Sequence, residues 1–250
     1  MEKILLEEPT ITDPNIGIFM QNKDLMNGFG SLKAIFFDMD GVIYDSMGNH
    51  SIAWSKAFGF LGWDFPLEKV YMNEGRTGSS TIHLLYQESL GRQASEEEIG
   101  QIYGKKTEFF DAMPKPKPMK GISKLMERVK NAGIEIWVVT GSGQELLLDE
   151  LCADFFGLIL KGNIISGKDV KNCKPHPEPY LTALARSGYT AGQVLVIENA
   201  PLGVKAAKDA GIYTIGVNTG ILADEILWNS GADVVLNELS QVEQLIFDCE

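Results

Sequence analysis

The chain has 250 residues, 44% hydrophobic and 22% charged, ordinary values for one large globular domain or a core with a smaller insert. Its 34 acidic residues against 22 basic ones give a formal charge of −12, which argues against nucleic acid or an anionic membrane as partner. A small phosphorylated molecule stays open, because a few inward cations suffice to hold it.

Cys152, Cys173 and Cys249 are odd in number, far apart and without a CxxC pair, so neither a disulfide framework nor a zinc site is expected. No apolar run reaches the roughly 18 residues of a membrane span. The opening MEKILLEEPTITDPNIGIF carries acids where a signal peptide has its apolar core, and a cytoplasmic setting is expected. Residues 1–30 have weak periodicity and read as an extension outside the main unit.

Leu32 to Phe37 is a short apolar run without alternation, as in a strand buried on both faces of a parallel sheet, and it stops at Asp38. From Ser46 to Pro118 the pattern is helical. Trp54, Ala57, Phe58 and Leu61 recur at helical spacing, as do Ile82, Leu85, Tyr86 and Ser89. Ser95 and Glu98 make a capping-box signature before Ile99. The stretch ends in PKPKPM, a stiff extended connector. The expectation is a helical insert over 46–118, within a core formed by 31–45 and 119–250.

From Gly121 helix and strand alternate. Ile122, Leu125, Met126 and Val129 form a helical stripe; Ile134 to Val139, Val194 to Ile197, Ile212 to Val217 and Val234 to Leu236 read as strands. Helices are expected around Glu145–Cys152, Pro179–Arg186 and Leu202–Ala210. Such alternation predicts a doubly wound, mostly parallel α/β sheet with ligands at the carboxyl ends of its strands. Asp38, Thr140 and Glu198 fall at such ends.

The sequence Asp38-Met39-Asp40-Gly41 places two carboxylates beside a tight turn. One can attack phosphorus while touching Mg²⁺, and the other can pass the proton of the leaving group or water; a plain turn also fits. Thr140 in VVTGSG offers a hydroxyl and the following amides of Gly141 and Ser142 to phosphoryl oxygens, although a Gly-rich strand-to-helix turn reads the same way. Lys174, among the prolines of NCKPHPEPY, can neutralise the nucleophile and a phosphoryl oxygen. Glu198 and Asn199, at the end of VLVIEN, offer oxygens to a hard Mg²⁺ ion, or Asn199 caps the next helix.

In this order DMDGV, VVTGSG, CKPHPEPY and IENAPLGV resemble the haloacid dehalogenase superfamily, in its branch with a helical cap, and within it the β-phosphoglucomutase-like phosphatases and related inorganic pyrophosphatases. The resemblance covers nearly all of residues 32–240. It implies Asp38 as nucleophile and metal ligand, and Asp40 as general acid/base whose carbonyl also meets Mg²⁺. Thr140 and Lys174 would bind the phosphoryl group, and Glu198 and Asn199 would lie in the metal subsite. His50 matches a His that the mutases use. Most relatives carry two acids where this chain has Glu198-Asn199, so one negative charge is gone.

In the cap loop YMNEGRTGSST, Glu74 and Gly78 stand where the mutases carry a Lys and an Arg for the distal phosphate. The expectation is therefore an Mg²⁺-dependent hydrolase of a small phosphate compound, pyrophosphate or a sugar phosphate, acting through an aspartyl-phosphate. Glu74 would reach the metal when the cap closes. Arg76 and Thr77 are candidates for substrate phosphate or gating, and Lys106 for substrate contact. Glu96 to Glu98 read as a helix start, and Trp54 and Phe58 as cap core. The alternatives are a sugar phosphomutase and, from another class, a receiver-like phosphate-binding protein without turnover. A monomer or small homo-oligomer is expected.

Overall fold

The strands from Ala34 onward are short runs of Val, Ile, Leu and Phe, a composition that suits a sheet covered on both faces. In the computed structural model, which describes residues 32–248, these runs form one six-stranded parallel sheet of order β3-β2-β1-β4-β5-β6. The extension at residues 1–30 and Cys249 lie outside the described residues. The strands are β1 (Ala34–Phe37), β2 (Glu135–Val139), β3 (Ile164–Ile165), β4 (Val194–Glu198), β5 (Tyr213–Val217) and β6 (Val234–Leu236).

Phe37 stands opposite Val138 on one side and Ile197 on the other. That register brings Asp38, Thr140 and Glu198 out together at the carboxyl edge. It is also the edge between β1 and β4, where the winding direction reverses and an open α/β sheet leaves a crevice. Phe36, Trp137, Val139, Tyr180 and Val196 pack one buried cluster against the sheet.

Four helices follow β1: α1 (Met47–Gly59), α2 (Leu67–Met72), α3 (Gly78–Leu90) and α4 (Glu96–Asp111). They enclose their own apolar cluster, in which Trp54, Phe58, Phe65, Ile82, Leu85 and Ile102 are buried. Leu61, expected on the buried stripe of α1, lies past its end and is 39% exposed, because the chain turns away at Gly62 with φ +74°. The capping box at α4 is formed: Glu98 N donates to Ser95 Oγ at 3.3 Å, and Ser95 N donates to Glu98 Oε2 at 2.7 Å.

The two connecting segments run side by side where the helical insert leaves and rejoins the sheet, with Asp45 N donating to Lys117 O and Met119 N to Ile43 O, each at 2.8 Å. Both are tied to the helix after β2. Tyr44 donates to Asp154, and Lys115 pairs with Glu150.

The remaining helices are α5 (Ile122–Asn131), α6 (Glu145–Asp154), α7 (Glu178–Ser187), α8 (Pro201–Asp209), α9 (Asp224–Asn229) and α10 (Leu239–Phe247). The Ile122, Leu125, Met126 and Val129 stripe of α5 is fully buried. The two-residue β3 and the six-residue α9 are too short to show a period. No helix among the described residues is long and apolar enough to cross a membrane.

Ser95→Ala removes one half of the capping box and should lower stability by about 1 kcal/mol. Urea or thermal melting checks this, with turnover expected to stay unchanged because Ser95 lies outside the cavity described below.

Candidate active site

Lys174 is the best-buried cation of the sheet edge, 2% exposed, and an ammonium in that position must place all three of its protons. It does so. Nζ donates to Asp38 Oδ1 at 2.5 Å, to the Val139 carbonyl at 2.9 Å and to Glu198 Oε1 at 2.6 Å. Burial works against its charge, but Asp38 and Glu198 hold its pKa well above the ordinary lysine value.

Glu198 was expected as a metal donor, and here the structure differs. Besides Lys174, Oε1 accepts from Tyr180 at 2.8 Å, and Oε2 accepts from the amides of Asn199 and Ala200 at 3.0 and 3.2 Å. Its oxygens are committed to holding Lys174 and turning the chain into α8. Gly203 permits this approach, since a Cβ there would fall 1.8 Å from Glu198 Oε1.

The two aspartates of the turn differ in setting. Burial, then the nearby Glu198, push the Asp38 carboxyl up to about 8 in spite of Lys174. Burial acts on Asp40 too, but His50 and the hydroxyl of Ser46 hold it down at about 2. Ser46 Oγ donates to Asp40 Oδ1 at 2.6 Å, and His50 Nε2 lies 3.1 Å from the same oxygen.

Thr140 lies beside them, 4% exposed. The amide of Ser142, expected to hold a phosphoryl oxygen, is spent on Thr140 Oγ1 at 3.1 Å, the local turn that a hydroxyl two residues back favours. Gly141 and the Ser142 side chain still line the cavity.

Above these groups the helical insert closes a cavity of about 80 Å³, lined among others by Asp38, Asp40, Thr140, His50, Glu74, Arg76, Lys106 and Tyr103. Glu74 is forced well above the usual carboxylate range, first by burial and then by Asp40 and Asp38. Burial lowers the pKa of Lys106, whose Nζ sits 4.6 Å from the centre of the Phe110 ring. Arg76 Nε and Nη1 donate to Asn73 Oδ1 and Ser80 Oγ. Thr77 is not in the cavity lining: its Oγ1 caps α3 by accepting from Ser80 N, and it lines a neighbouring groove.

Sequence reading missed two residues that shape the site. Tyr180 fixes Glu198 from α7, and no periodicity marks it. Tyr103 fills the space beside Gly78, where a Cβ would come within 2.2 Å of the ring, and its hydroxyl accepts from Gln144 of the sheet side at 3.2 Å. The bare Gly78 was the available signal, since the room it leaves must be filled by something.

The donor set fits a hard divalent cation. If all ionised, Asp38, Asp40, Glu74 and Glu198 would outnumber the ammonium groups of Lys174 and Lys106, and burial with this mutual repulsion raises the pKa of Asp38 and Glu74, so that an entering cation can take the place of their protons. Asn199 Oδ1 is buried and has no hydrogen-bond partner, an arrangement that costs about 1–3 kcal/mol unless a cation or water meets it. No three His, Cys, Asp or Glu side chains among the described residues form a ligand group by themselves, and the buried oxygen of Asn199 is a neutral donor outside that count.

Comparison with known proteins agrees with this geometry. Residues 32–211 match the family model for haloacid dehalogenase-like hydrolases. The chain is 27% identical over 212 residues to validoxylamine A 7'-phosphate phosphatase of Streptomyces hygroscopicus subsp. limoneus, covering 84% of this chain and 95% of that one. It is 28% identical over 222 residues to β-phosphoglucomutase of Bacillus subtilis, covering 84% and 92%. A solved structure of a Bacteroides vulgatus protein, proposed to be a β-phosphoglucomutase, superposes with a TM-score of 0.85 at 41% identity, covering 92% of this chain and 98% of that one. With the family model matched over most of its length, the chain belongs to the haloacid dehalogenase-like hydrolases, as an enzyme of their phosphatase and phosphomutase class.

Proposed function

We propose that the protein is an Mg²⁺-dependent phosphohydrolase of a compact phosphate compound, with pyrophosphate as the preferred substrate, acting through an aspartyl-phosphate. The observation that carries this reading is the small cavity under the cap. Glu74 supplies an acid where a sugar bisphosphate would need a cation, and Tyr103 fills the room beside Gly78.

Asp38, the Asp40 carbonyl and Asn199 would hold the ion, with Glu74 joining from the cap. When bound, Mg²⁺ neutralises phosphoryl oxygens and lowers the charge that the attacking carboxylate must overcome. Lys174 grips Asp38 Oδ1 and leaves Oδ2 for in-line attack on phosphorus. Thr140 and Gly141 orient the phosphoryl oxygens. The P–O bond to the leaving group breaks as the Asp38–phosphorus bond forms, and the leaving phosphate departs as an anion, with no proton required from Asp40.

Once the leaving group departs, Asp40, held as a carboxylate by Ser46 and His50, takes a proton from water, and that water cleaves the acyl phosphate. An acid held as low as about 2 suits a leaving group stable as an anion, as phosphate is, better than a sugar alkoxide. A phosphomutase would share the first half, but it needs a grip on a second, distal phosphate. Glu74 and Gly78 do not provide one.

Phosphate release should be fastest from pyrophosphate, slower from hexose phosphates, and lost on chelation of Mg²⁺. A hexose 1-phosphate converted to its 6-phosphate faster than pyrophosphate is hydrolysed defeats this reading. Asp38→Asn should reduce turnover by roughly 10³-fold or more, measured by single-turnover phosphate release. Tyr103→Ala should raise kcat/KM for hexose phosphates relative to pyrophosphate by about tenfold, because it opens the cavity. Tyr103→Phe, which keeps the ring, should leave that ratio unchanged.

A further inference from the structure

Gly167 lies in the loop after β3, outside the cavity lining, and its backbone does not take the positive φ that calls for glycine. Space calls for it instead. A Cβ there would stand 2.5 Å from the Gly141 carbonyl oxygen and 3.3 Å from its carbon, so backbone meets backbone and no rotamer can give way. Gly167 also donates its amide to the next carbonyl along, Ser142 O, at 3.0 Å. The loop therefore bears on two successive carbonyls of the turn that follows β2.

Neither partner has slack. Within the loop, Asp169 Oδ2 accepts from the amide and the hydroxyl of Ser166 at 2.8 and 2.6 Å, and Oδ1 accepts from Arg186 at 2.6 Å. Gly141, for its part, is crowded by the insert: a Cβ on it would stand 2.9 Å from Gly75 O and 3.4 Å from Arg76 O.

The carbonyl that Gly167 abuts belongs to the same rigid peptide plane as the Ser142 amide, so one cannot swing without the other. That amide donates to Thr140 Oγ1 at 3.1 Å. The bond occupies one lone pair of the hydroxyl and steers its proton elsewhere. Among the described residues that proton has no acceptor, and Thr140, 4% exposed, lines the cavity. A contact made behind the cavity is thus carried through one peptide unit to a hydroxyl of its wall.

We propose that Gly167 is a positioning residue: by leaving room for the Gly141–Ser142 peptide, it keeps the Ser142 amide on Thr140 Oγ1 and the hydroxyl proton directed at the phosphoryl group. This rests on the reading of Thr140 as a phosphoryl donor given above. A methyl group at 167 should push the peptide by on the order of 1 Å, to ordinary contact distance, and turn the hydroxyl away.

A double-mutant cycle tests this, read as phosphate release from pyrophosphate, with p-nitrophenyl phosphate as a second probe. Thr140→Val should lower kcat/KM by roughly 10²-fold, the scale of a lost transition-state donor. Gly167→Ala should lower it roughly 10–100-fold, the scale of a misplacement of about 1 Å. In the Thr140→Val background, Gly167→Ala should cost less than about twofold, since the hydroxyl on which it acts is gone. The Mg²⁺ Kd, titrated calorimetrically without substrate, should keep its wild-type value.

Gly143→Ala is the control from the same turn. Its Cβ would meet the exposed Lys168 side chain at 3.2 Å, which can swing aside, so turnover should stay within about twofold. Melting curves establish that each variant is folded. Where Gly167→Ala is not, Asp169→Asn, which slackens the same loop without adding bulk, takes its place in the cycle.

An unchanged kcat/KM for Gly167→Ala overturns the proposal. So does a loss that recurs in full in the Thr140→Val background, or one that comes with a weaker Mg²⁺ Kd, since both mark a general loosening. If Thr140→Val itself turns over like the wild type, the reading of Thr140 fails first, and the role of Gly167 fails with it. A wild-type chain active on p-nitrophenyl phosphate and inactive on pyrophosphate defeats the substrate assignment alone, and the cycle is then read on p-nitrophenyl phosphate.

Discussion

The ammonium of Lys174 is the interaction around which the site is organised. Withdrawing a charge from water costs several kcal/mol, and the cost is offset only where every proton finds an acceptor of suitable charge. The carboxylates of Asp38 and Glu198 and the carbonyl of Val139 meet that demand, from the ends of β1, β4 and β2 in turn. Three strands and the loop before α7 are thereby locked to one point. Loss of Lys174 itself leaves buried carboxylate charge uncompensated, at about 3–5 kcal/mol. Glu198 serves this lock: Tyr180 and two amides consume the acceptor capacity that Lys174 leaves.

Around that point the protein gathers more carboxyl groups than cations, and it meets their repulsion by holding protons on some of them. Asp38 and Glu74 are both held above the ordinary carboxylate range by burial and by their acidic neighbours, while Asp40 is kept ionised by Ser46 and His50. A cavity built this way favours ligands that bring positive charge with them. The same acids repel a bare phosphate, so anion and cation binding are coupled through Coulomb interactions in a medium of low dielectric.

The division of labour follows from the layers. The sheet edge presents groups that any phosphoryl transfer needs, held by backbone register and by ion pairs. The insert lines the rest of the cavity with Glu74, from the turn between α2 and α3, and with Lys106 and the Tyr103 ring, from a helix packed on the insert's own apolar cluster. Tyr103 also bonds Gln144 across the seam, so a residue that limits the cavity also helps tie the insert to the sheet.

Much of this was legible in the chain itself. Parallel strands announce themselves as uninterrupted apolar runs, since both faces are covered, and the carboxyl end of each run located Asp38, Thr140 and Glu198 without coordinates. The Ile122–Val129 stripe and the Ser95–Glu98 box were readable because helix periodicity and capping are local. What no local pattern carries is which partners a polar group finds across the fold. Glu198 turned inward to Lys174 and Tyr180, the Ser142 amide closed on Thr140, Thr77 became a helix cap, and Tyr103 entered the space that Gly78 leaves, each decided by neighbours far away in sequence or by turn geometry. Composition and spacing determined the sheet and the acids at its edge; tertiary packing alone decided which of those acids hold structure and which stay free for chemistry, because hydrogen-bond and charge satisfaction is a property of the buried neighbourhood.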